Sequence, residues 1–273
     1  MADLKLILDQ VIAACRKVGR EEVMPRYLKV AHERKVDGSL LTEADVAAQT
    51  ALIRQLRAIA PYPVLGEEMT EAAQHDVWNI GDDGLWCVDP IDGTSNFVNG
   101  LPFFAISVAL VRNRKSVLGV VYDPAADEAF YAIEGQGAFM NGERLPLKLP
   151  PTELKRCMAA IDLKRIDRQL GGRLASEHPF GSQRNLGAST LDWCYVAAGR
   201  LHIYMHGGQK LWDYAAGCLI LREAGGASCL LTGEEFRGEN PWCRSVLAAL
   251  TPDLLSQWKN WVLGDGPGTS TTP

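Results

Sequence analysis

The sequence WCVDPIDGTSNF, at residues 86–97, joins an apolar run to a tight acidic turn. The apolar run predicts a buried strand that ends at Asp89. Pro90 fixes the backbone and has no N–H to donate, which favours a turn between Asp89 and Asp92. Such a turn can point both carboxylates the same way, with the carbonyl oxygen of Ile91 between them. Hard oxygen ligands of this kind are suited to magnesium.

The residues that follow the acidic turn predict an anion site. Gly93 lets the backbone approach a ligand closely. The segment Gly93-Thr94-Ser95 can begin a helix, whose free N–H groups would bind an anion such as phosphate. The Thr94 hydroxyl would then lie beside the metal, where it could hold a water molecule.

Three further acidic motifs lie where an apolar strand ends or a helix begins. GEE at residues 66–68 follows the strand-like PVL and supplies Glu67 and Glu68. LWD at residues 211–213 places Asp213 at the start of a helical pattern. TEAD at residues 42–45 has the form of a helix N-cap, with Asp45 at the third helical position.

Each of these motifs also has an ordinary structural explanation. Asp-Pro and Asp-Gly are common turn pairs, and a Glu67-Glu68 pair is typical of a solvated surface. Asp213 could simply be a helix cap, and Asp45 could complete the cap begun by Thr42. The metal-site hypothesis therefore depends on the whole set, in this order and local context.

Hydrophobic periodicity predicts helices in residues 3–60, antiparallel strands in about 62–140 and alternating strands and helices in about 156–250. The first of these regions contains one or two amphipathic helices over residues 3–33 and another from Thr42 that stops before Pro61. We expect one domain over residues 1–263, with halves of about 1–150 and 151–263. The final residues, 264–273, are rich in Gly, Ser, Thr and Pro and predict a disordered tail.

Composition limits the possible partners. The chain has 273 residues, 28 Lys plus Arg against 33 Asp plus Glu, and a formal net charge of −5. This acidic balance argues against nucleic acid as the main partner, since phosphate backbones bind basic surfaces. The sequence contains no run of 18 apolar residues, so we expect no membrane span. The seven cysteines are dispersed along the sequence, which indicates reduced thiols. The N-terminus shows no signal-peptide pattern, so we expect a cytoplasmic location.

Two long motifs carry a resemblance to a known family. WCVDPIDGTSNF resembles the pattern WxxDPxDGTxNF of the inositol monophosphatase family, and WDYAAGCLILREAGG at residues 212–226 resembles its WDxAAGxxxxxEAGG. GEE lies upstream, as in that family. The resemblance implies a five-layered α-β-α-β-α sandwich of mixed α/β class. It also implies hydrolysis of a small phosphate monoester by water, without a covalent intermediate.

The resemblance also implies a role for each motif residue. It assigns two or three Mg²⁺ ions to a fixed ligand set and places Glu68 in the outer part of the site. It assigns the attacking water to Glu67 and Thr94, with Asp45 accepting from the Thr94 hydroxyl. The implied metal ligands are Glu67, Asp89, the backbone oxygen of Ile91, Asp92 and Asp213. The implied substrate contacts are Gly93, Thr94, Ala188, Ser189, His206 and Asp213.

One departure from the family pattern bears on the substrate. Seven residues before the WD aspartate the family has a Glu that contacts sugar hydroxyls, and this chain has His206. His206 either contacts the substrate differently or is an ordinary loop histidine. Lys210 lies close by in sequence and could reach a polar or anionic group.

Several functions stay open from sequence. Inositol monophosphate is the leading substrate, and the alternatives are histidinol phosphate and 3′-phosphoadenosine 5′-phosphate. Two segments, KVDGSLLTEAD and the GLP at residues 100–102, resemble the histidinol-phosphate phosphatase and 3′-phosphoadenosine 5′-phosphate phosphatase branches of the family more closely. A further alternative is a regulatory protein that keeps the fold and binds a partner. The resemblance also implies inhibition by lithium and a homodimer.

Overall fold

A computed structural model describes residues 4–29, 32–34, 40–236 and 240–264 of the chain. Its framework consists of two large sheets and the helices that cover them. The helices are α1 (Leu4–Val18), α2 (Glu43–Ile59), α3 (Glu71–Ile80), α4 (Thr94–Asn99), α5 (Arg168–Glu177), α6 (Ser189–Ala198), α7 (Leu211–Glu223) and α8 (Pro252–Leu263). The strands are β1 (His32–Arg34), β2 (Leu40–Thr42), β3 (Val64–Gly66), β4 (Leu85–Asp92), β5 (Ala105–Arg112), β6 (Lys115–Asp123), β7 (Glu128–Ile133), β8 (Ala138–Met140), β9 (Glu143–Arg144), β10 (Met158–Asp162), β11 (Ser182–Arg184), β12 (Ile203–Gln209), β13 (Ala227–Cys229) and β14 (Arg244–Ala249).

The larger sheet has seven strands in the order β3-β4-β5-β6-β7-β8-β9. The smaller sheet has five, in the order β11-β10-β12-β14-β13. In the smaller sheet β10 runs parallel to both β11 and β12, while β14 is antiparallel to its neighbours. β1 and β2 form a separate antiparallel pair.

Three apolar cores hold the layers together, because alternate strand residues point to opposite faces. On one face of the larger sheet, Trp86 and Val88 pack with α1 and α2. On its other face, Cys87 packs with α6 and α7, which also cover Tyr204 of the smaller sheet. The far face of the smaller sheet, which includes Met205, is covered by α5 and α8. The order is α-β-α-β-α, so the predicted fold class is confirmed.

The predicted N-terminal helix is wrong in its length. α1 ends at Val18, and a π-helical turn (Gly19–Val23) and a 3₁₀ turn (Met24–Arg26) follow it. Residues 32–34, predicted to lie at the helix end, are strand β1. Pro25 explains the break in part, since it has no N–H donor and its ring obstructs the preceding turn of a regular helix.

The prediction of antiparallel strands over residues 62–140 is wrong in two respects. β3 runs parallel to β4, and α3 lies between them in sequence. α3 has no clear hydrophobic periodicity to predict it, because Gln74, a polar residue, is the only residue of this helix that is buried. The antiparallel pairing predicted for the rest of this region is confirmed, from β4 through β9.

Two predictions concern the domain's extent. Gly264, with φ +84°, caps α8, and residues 265–273 of the predicted tail lie outside the described residues. A single domain over residues 1–263 stays a prediction.

All seven cysteines are free thiols, and five of them are buried. None of the helices in the described ranges has both the length and the apolar character needed to cross a bilayer.

Candidate metal centre

A bulge in β4 directs two carboxylates to one side of the larger sheet. Asp89 lies opposite Ser107 of β5, whereas Asp92, three residues later, lies opposite Ala105. The register therefore shifts by one residue, as in a β-bulge. Without the extra residue, side chains three positions apart would point to opposite faces. The N–H of Ile91 donates to Oδ1 of Asp89 at 3.1 Å and holds the turn closed.

Glu67 joins these acids because β3 runs parallel to β4. The ends of the two strands meet, and the N–H of Glu67 donates to the carbonyl of Val88 at 3.2 Å. The Glu67 side chain is hydrogen-bonded to Asp89. Parallel pairing thus brings the GEE motif to the acidic turn, although 22 positions separate Glu67 from Asp89 in the chain.

Two glutamine side chains hold the GEE loop. The side-chain amide of Gln74 donates to the carbonyls of Gly66 and Glu67 at 3.0 and 3.1 Å. From α2, Oε1 of Gln49 accepts the N–H of Glu68 at 3.1 Å. Sequence reasoning missed both glutamines, because neither belongs to a motif and α3 was not predicted.

Asp213 comes from the second half of the chain, in the first turn of α7. Its Oδ2 accepts the N–H of Lys210 at 2.8 Å; Lys210 is the N-cap residue, and Asp213 closes a capping box from the third helical position. The carboxylate nevertheless lies close enough to Asp92 and Glu67 for their charges to act on it. Capping and membership of the acidic cluster are therefore compatible.

The electrostatics of this cluster are unfavourable without a cation. Burial raises the pKa of Asp89 well above its usual range, and the neighbouring charges of Glu67, Asp92 and Asp213 raise it further. Burial raises the pKa of Asp92 to about 6, although hydrogen bonds from Thr190 oppose the rise. Burial and the charge of Asp92 raise the pKa of Asp213 to about 8. Desolvated like charges of this kind favour protons or metal ions.

The acids converge without forming a finished ligand shell. In the described part of the chain, no group of three or more His, Cys, Asp or Glu side chains is already arranged to hold a metal ion. The side chains of Glu67 and Asp89 are instead hydrogen-bonded to each other.

Gly93 is required by the turn that leads into α4. Its φ of +90° is in the left-handed region, which favours glycine. A Cβ there would lie 3.0 Å from the carbonyl oxygen of Phe103 and 3.1 Å from Cβ of Ala188. Ala188, predicted to line the substrate pocket, is therefore packed against this turn. The predicted helix at Thr94 is confirmed, but it has only six residues.

The N-terminus of α6 holds Asp92 from the second half of the chain. Oδ2 of Asp92 accepts both the N–H and the hydroxyl of Thr190, each at 2.6 Å. The N–H of Ser189 also donates to Asp92. Sequence reasoning found Ser189 but missed Thr190, although its position directly after Ala188-Ser189 was a usable signal.

The predicted pairing of Asp45 with Thr94 is present in the geometry. The Thr94 hydroxyl lies 3.5 Å from Oδ1 of Asp45 and donates to the carbonyl of Ile91 at 3.1 Å. Oδ2 of Asp45 accepts the N–H of Thr42 at 2.7 Å and completes a capping box at the start of α2. Asp45 therefore caps its helix with one oxygen and faces Thr94 with the other.

His206 is not a loop residue. It lies in β12, and both of its ring nitrogens have protein partners. Nδ1 accepts the N–H of Gly208 at 3.1 Å, and Nε2 lies 3.3 Å from Oδ2 of Asp162. Its role as a direct substrate contact stays a prediction.

The profile of the inositol monophosphatase family matches residues 3–261. The chain belongs to the inositol monophosphatase family. The match covers both halves, and thus every acid of the cluster.

Individual relatives are similar to this chain over most of its length. Inositol monophosphatase 2 of Solanum lycopersicum is 37% identical over 240 residues, covering 84% of this chain and 89% of the relative. The Nus factor SuhB of Pasteurella multocida is 33% identical over 268 residues, covering 93% and 94%. Among solved structures, Thermotoga maritima IMPase is 34% identical with a TM-score of 0.80, covering 94% of this chain and 98% of that one.

Membership of this family supports a phosphatase class for the chain, and the structure brings most of the predicted site residues together. Asp45 and Glu67 approach from the helix and loop of the first half, and Ser189 and Asp213 approach from the second. The ligand and substrate roles of these residues stay predictions. The residues predicted for the site and found around the acidic cluster are Asp45, Glu67, Asp89, Ile91, Asp92, Gly93, Thr94, Ala188, Ser189 and Asp213.

Proposed function

We propose that this chain is a magnesium-dependent phosphomonoesterase whose substrate is an inositol monophosphate. The observation that carries the proposal is the convergence of Glu67, Asp89, Asp92 and Asp213, drawn from both halves of the chain. Burial, together with the charges of the neighbouring acids, raises the pKa values of Asp89, Asp92 and Asp213, and buried like charges of this kind favour a cation.

The donor set fits magnesium better than zinc. All four side chains are carboxylates, and the carbonyl of Ile91 can add a fifth oxygen ligand. Asp89 would hold metal together with Glu67, Asp92 and Asp213, whose charges all act on it. When bound, magnesium neutralises phosphate charge and makes a water molecule more acidic. Glu68 is assigned to the outer part of the site.

The chain's own residues would orient the attacking water and accept its proton. The Thr94 hydroxyl is an acceptor for that water only while its own proton points elsewhere. Ile91 and Asp45 both offer an oxygen for that proton, at 3.1 and 3.5 Å. The N–H groups of Gly93 and Thr94, at the start of α4, are proposed to bind the phosphate. The oxygen of the attacking water bonds to phosphorus as the ester P–O bond breaks, so inorganic phosphate forms and the leaving oxygen takes up a proton from solvent to become the alcohol.

The names of the relatives support inositol monophosphate as the substrate. The alternatives within the enzyme class are histidinol phosphate and 3′-phosphoadenosine 5′-phosphate. A panel of these three monoesters, assayed by phosphate release at equal concentrations with Mg²⁺, tests the choice. We expect the highest kcat/KM on inositol 1-phosphate. A preference of tenfold or more for either alternative would reject the inositol assignment and keep the phosphatase class.

Lithium should inhibit the enzyme, because it competes for one of the magnesium positions once phosphate is bound. The test is the rate of phosphate release at rising LiCl, with NaCl as the matched control for ionic strength. Equal activity in the two salts at high millimolar concentration would count against this part of the proposal.

A second candidate function has a specific observation in its favour. A relative that is 33% identical is named as a Nus factor, so one similar protein is known for a role other than hydrolysis. A binding role alone predicts no phosphate release from any monoester of the panel. The complete acidic cluster favours hydrolysis, since a protein that only binds a partner has no need of it.

A further inference from the structure

A second polar cluster lies beside the metal centre, at the ends of β10 and β12. Asp162 pairs directly with His206 in the parallel register of these strands. Two residues earlier, Ala160 and Tyr204 pack in the core that contains α6 and α7. Because alternate residues of a strand share a face, Asp162 and His206 point toward the same helical layer. That layer carries Thr190 and Asp213.

Hydrogen bonds define which member of the pair is available to a ligand. Nδ1 of His206 accepts from Gly208, so the ring proton is on Nε2 and is donated to Asp162. The His206 side chain is only 6% exposed, whereas that of Asp162 is 20% exposed. The group that reaches solvent is therefore the carboxylate and not the imidazole.

Asp162 is also held in its charged form. Burial alone would raise its pKa, but hydrogen bonds from His206 and the N–H of Lys164 lower the pKa to about 2. The bond from Lys164 is 2.7 Å long and reaches Oδ1, while His206 bonds Oδ2. An ionised carboxylate accepts hydrogen bonds and donates none, so its natural partner is a hydroxyl or another donor.

The segment after His206 connects this pair to the metal centre. The carbonyl of Gly208 accepts a hydrogen bond of 2.6 Å from Arg165, which follows Asp162 on the next turn. Two residues later the N–H of Lys210 donates to Asp213. On the opposite side, Asp192 of α6 is close enough to both Asp92 and Asp162 for their charges to act on it. Asp162 and the acidic cluster therefore share Asp192 as a neighbour.

We infer that Asp162 is a specificity-determining residue that accepts a hydrogen bond from a hydroxyl group on the alcohol half of the substrate, with His206 as its positioning residue. The inference rests on the proposed phosphatase function and deepens it. It replaces a direct contact by His206 with a contact through the carboxylate on the neighbouring strand. The substrate class that follows is a polyol monophosphate, in preference to a monoester whose alcohol carries no hydroxyl.

The test compares two substrates that differ only in hydroxyl groups, inositol 1-phosphate and cyclohexyl phosphate. We expect the wild-type enzyme to favour the inositol ester in kcat/KM. Asp162→Asn should reduce that preference about tenfold or more, the size of one hydrogen bond to a charged group. The loss should be in KM for the inositol ester, with kcat and the cyclohexyl reaction little changed.

Two further variants keep the test specific. Asp167→Asn makes the same chemical change at the N-cap of α5, where Asn caps equally well, and should leave the preference unchanged. His206→Gln can still donate to Asp162, so it should lose less of the preference than Asp162→Asn does. A larger loss in His206→Gln would assign the contact to the imidazole and overturn the inference.

The remaining outcomes separate this inference from the function on which it rests. Hydrolysis of both esters without preference by the wild type overturns the inference, even if Asp162→Asn does not fold. Equal losses on the two esters in Asp162→Asn also overturn it. No phosphate release from either ester overturns the proposed phosphatase function, and the inference with it.

Discussion

The hydroxyl oxygen of Thr94 lies 3.5 Å from Oδ1 of Asp45, while Oδ2 of the same carboxylate accepts the N–H and hydroxyl of Thr42. The capping box fixes the Asp45 side chain on α2, which directs its second oxygen toward the start of α4. One local motif thus both starts a helix and presents an acceptor to the candidate catalytic threonine.

Asp45→Asn and Thr94→Ala should each lower kcat by roughly 10²–10⁴-fold, the usual contribution of acid–base assistance. The double variant should lose no more than the worse single variant, because the two residues act as one unit. The measurement is steady-state phosphate release, with magnesium binding followed by calorimetry to show that the metal is still bound.

Thr50→Ala is the control for this pair, since Thr50 lies on α2 and its exposed hydroxyl donates only to the carbonyl of Val46. It should keep normal turnover. Asn retains capping ability. Near-normal kcat in Asp45→Asn would therefore mean that Asp45 only caps its helix, and the assigned role would be lost.

Asp89→Asn should remove the effect of magnesium on thermal stability while leaving the fold intact. Without metal, Asp89 is crowded by three other acids, so a neutral side chain should give an equal or higher Tm in EDTA. The measurement is Tm by differential scanning fluorimetry, in EDTA and in Mg²⁺. Asp123→Asn changes another buried carboxylate, in a turn away from the cluster, and should keep its magnesium response. If Mg²⁺ raises the Tm of Asp89→Asn as much as that of the wild type, Asp89 is not a metal ligand.

The metal-free protein should lose stability as the pH rises from about 4 to about 8. The pKa values of Asp92 (about 6) and Asp213 (about 8) are raised in the folded state, mainly by burial, above about 3.9 for an unfolded Asp. Between these values the folded state holds more protons than the unfolded state, so raising the pH favours unfolding. Tm in EDTA across pH 5–9 measures this. Asp213→Asn should flatten the decrease between pH 6 and 8, and an identical slope in both proteins would refute the assignment.

Gln74→Ala should weaken magnesium binding about tenfold, a typical effect of removing a residue that orients a metal ligand. The substitution leaves the carbonyls of Gly66 and Glu67 without the amide that holds them. Gln257→Ala is the control, because the Gln257 side chain also ties a loop, accepting the N–H of Leu154 and donating to the carbonyl of Thr152. Calorimetric titration with Mg²⁺ measures both. Equal affinities in Gln74→Ala and wild type would show that the loop keeps its position without this glutamine.

The acids of the site could be predicted from sequence because each belongs to a local pattern. An apolar run that predicts a buried strand leads into Asp89 and Asp92, although the strand extends to Asp92 and does not end at Asp89 as predicted. Thr42 and Asp45 form a capping box that four residues define. Patterns of this kind depend on neighbours in sequence, so tertiary structure does not need to be known.

The residues that hold these acids could not be predicted in the same way. Thr190 meets Asp92 across 98 positions of sequence, and Asp162 meets His206 only because β10 and β12 are adjacent. Gln74 acts through side-chain amide bonds to a backbone loop, and nothing in its own segment distinguishes it from a surface residue. These contacts depend on strand order and packing, which local periodicity does not specify.

The most direct test of the acidic cluster as a phosphatase site is phosphate release from inositol 1-phosphate as a function of Mg²⁺ concentration. It is measured for the wild type and for Asp89→Asn after removal of all metal with EDTA. We expect no release without magnesium, saturable release by the wild type as magnesium is added, and none by Asp89→Asn at any concentration. Release by the metal-free wild type, or near-normal turnover by Asp89→Asn, would contradict the account.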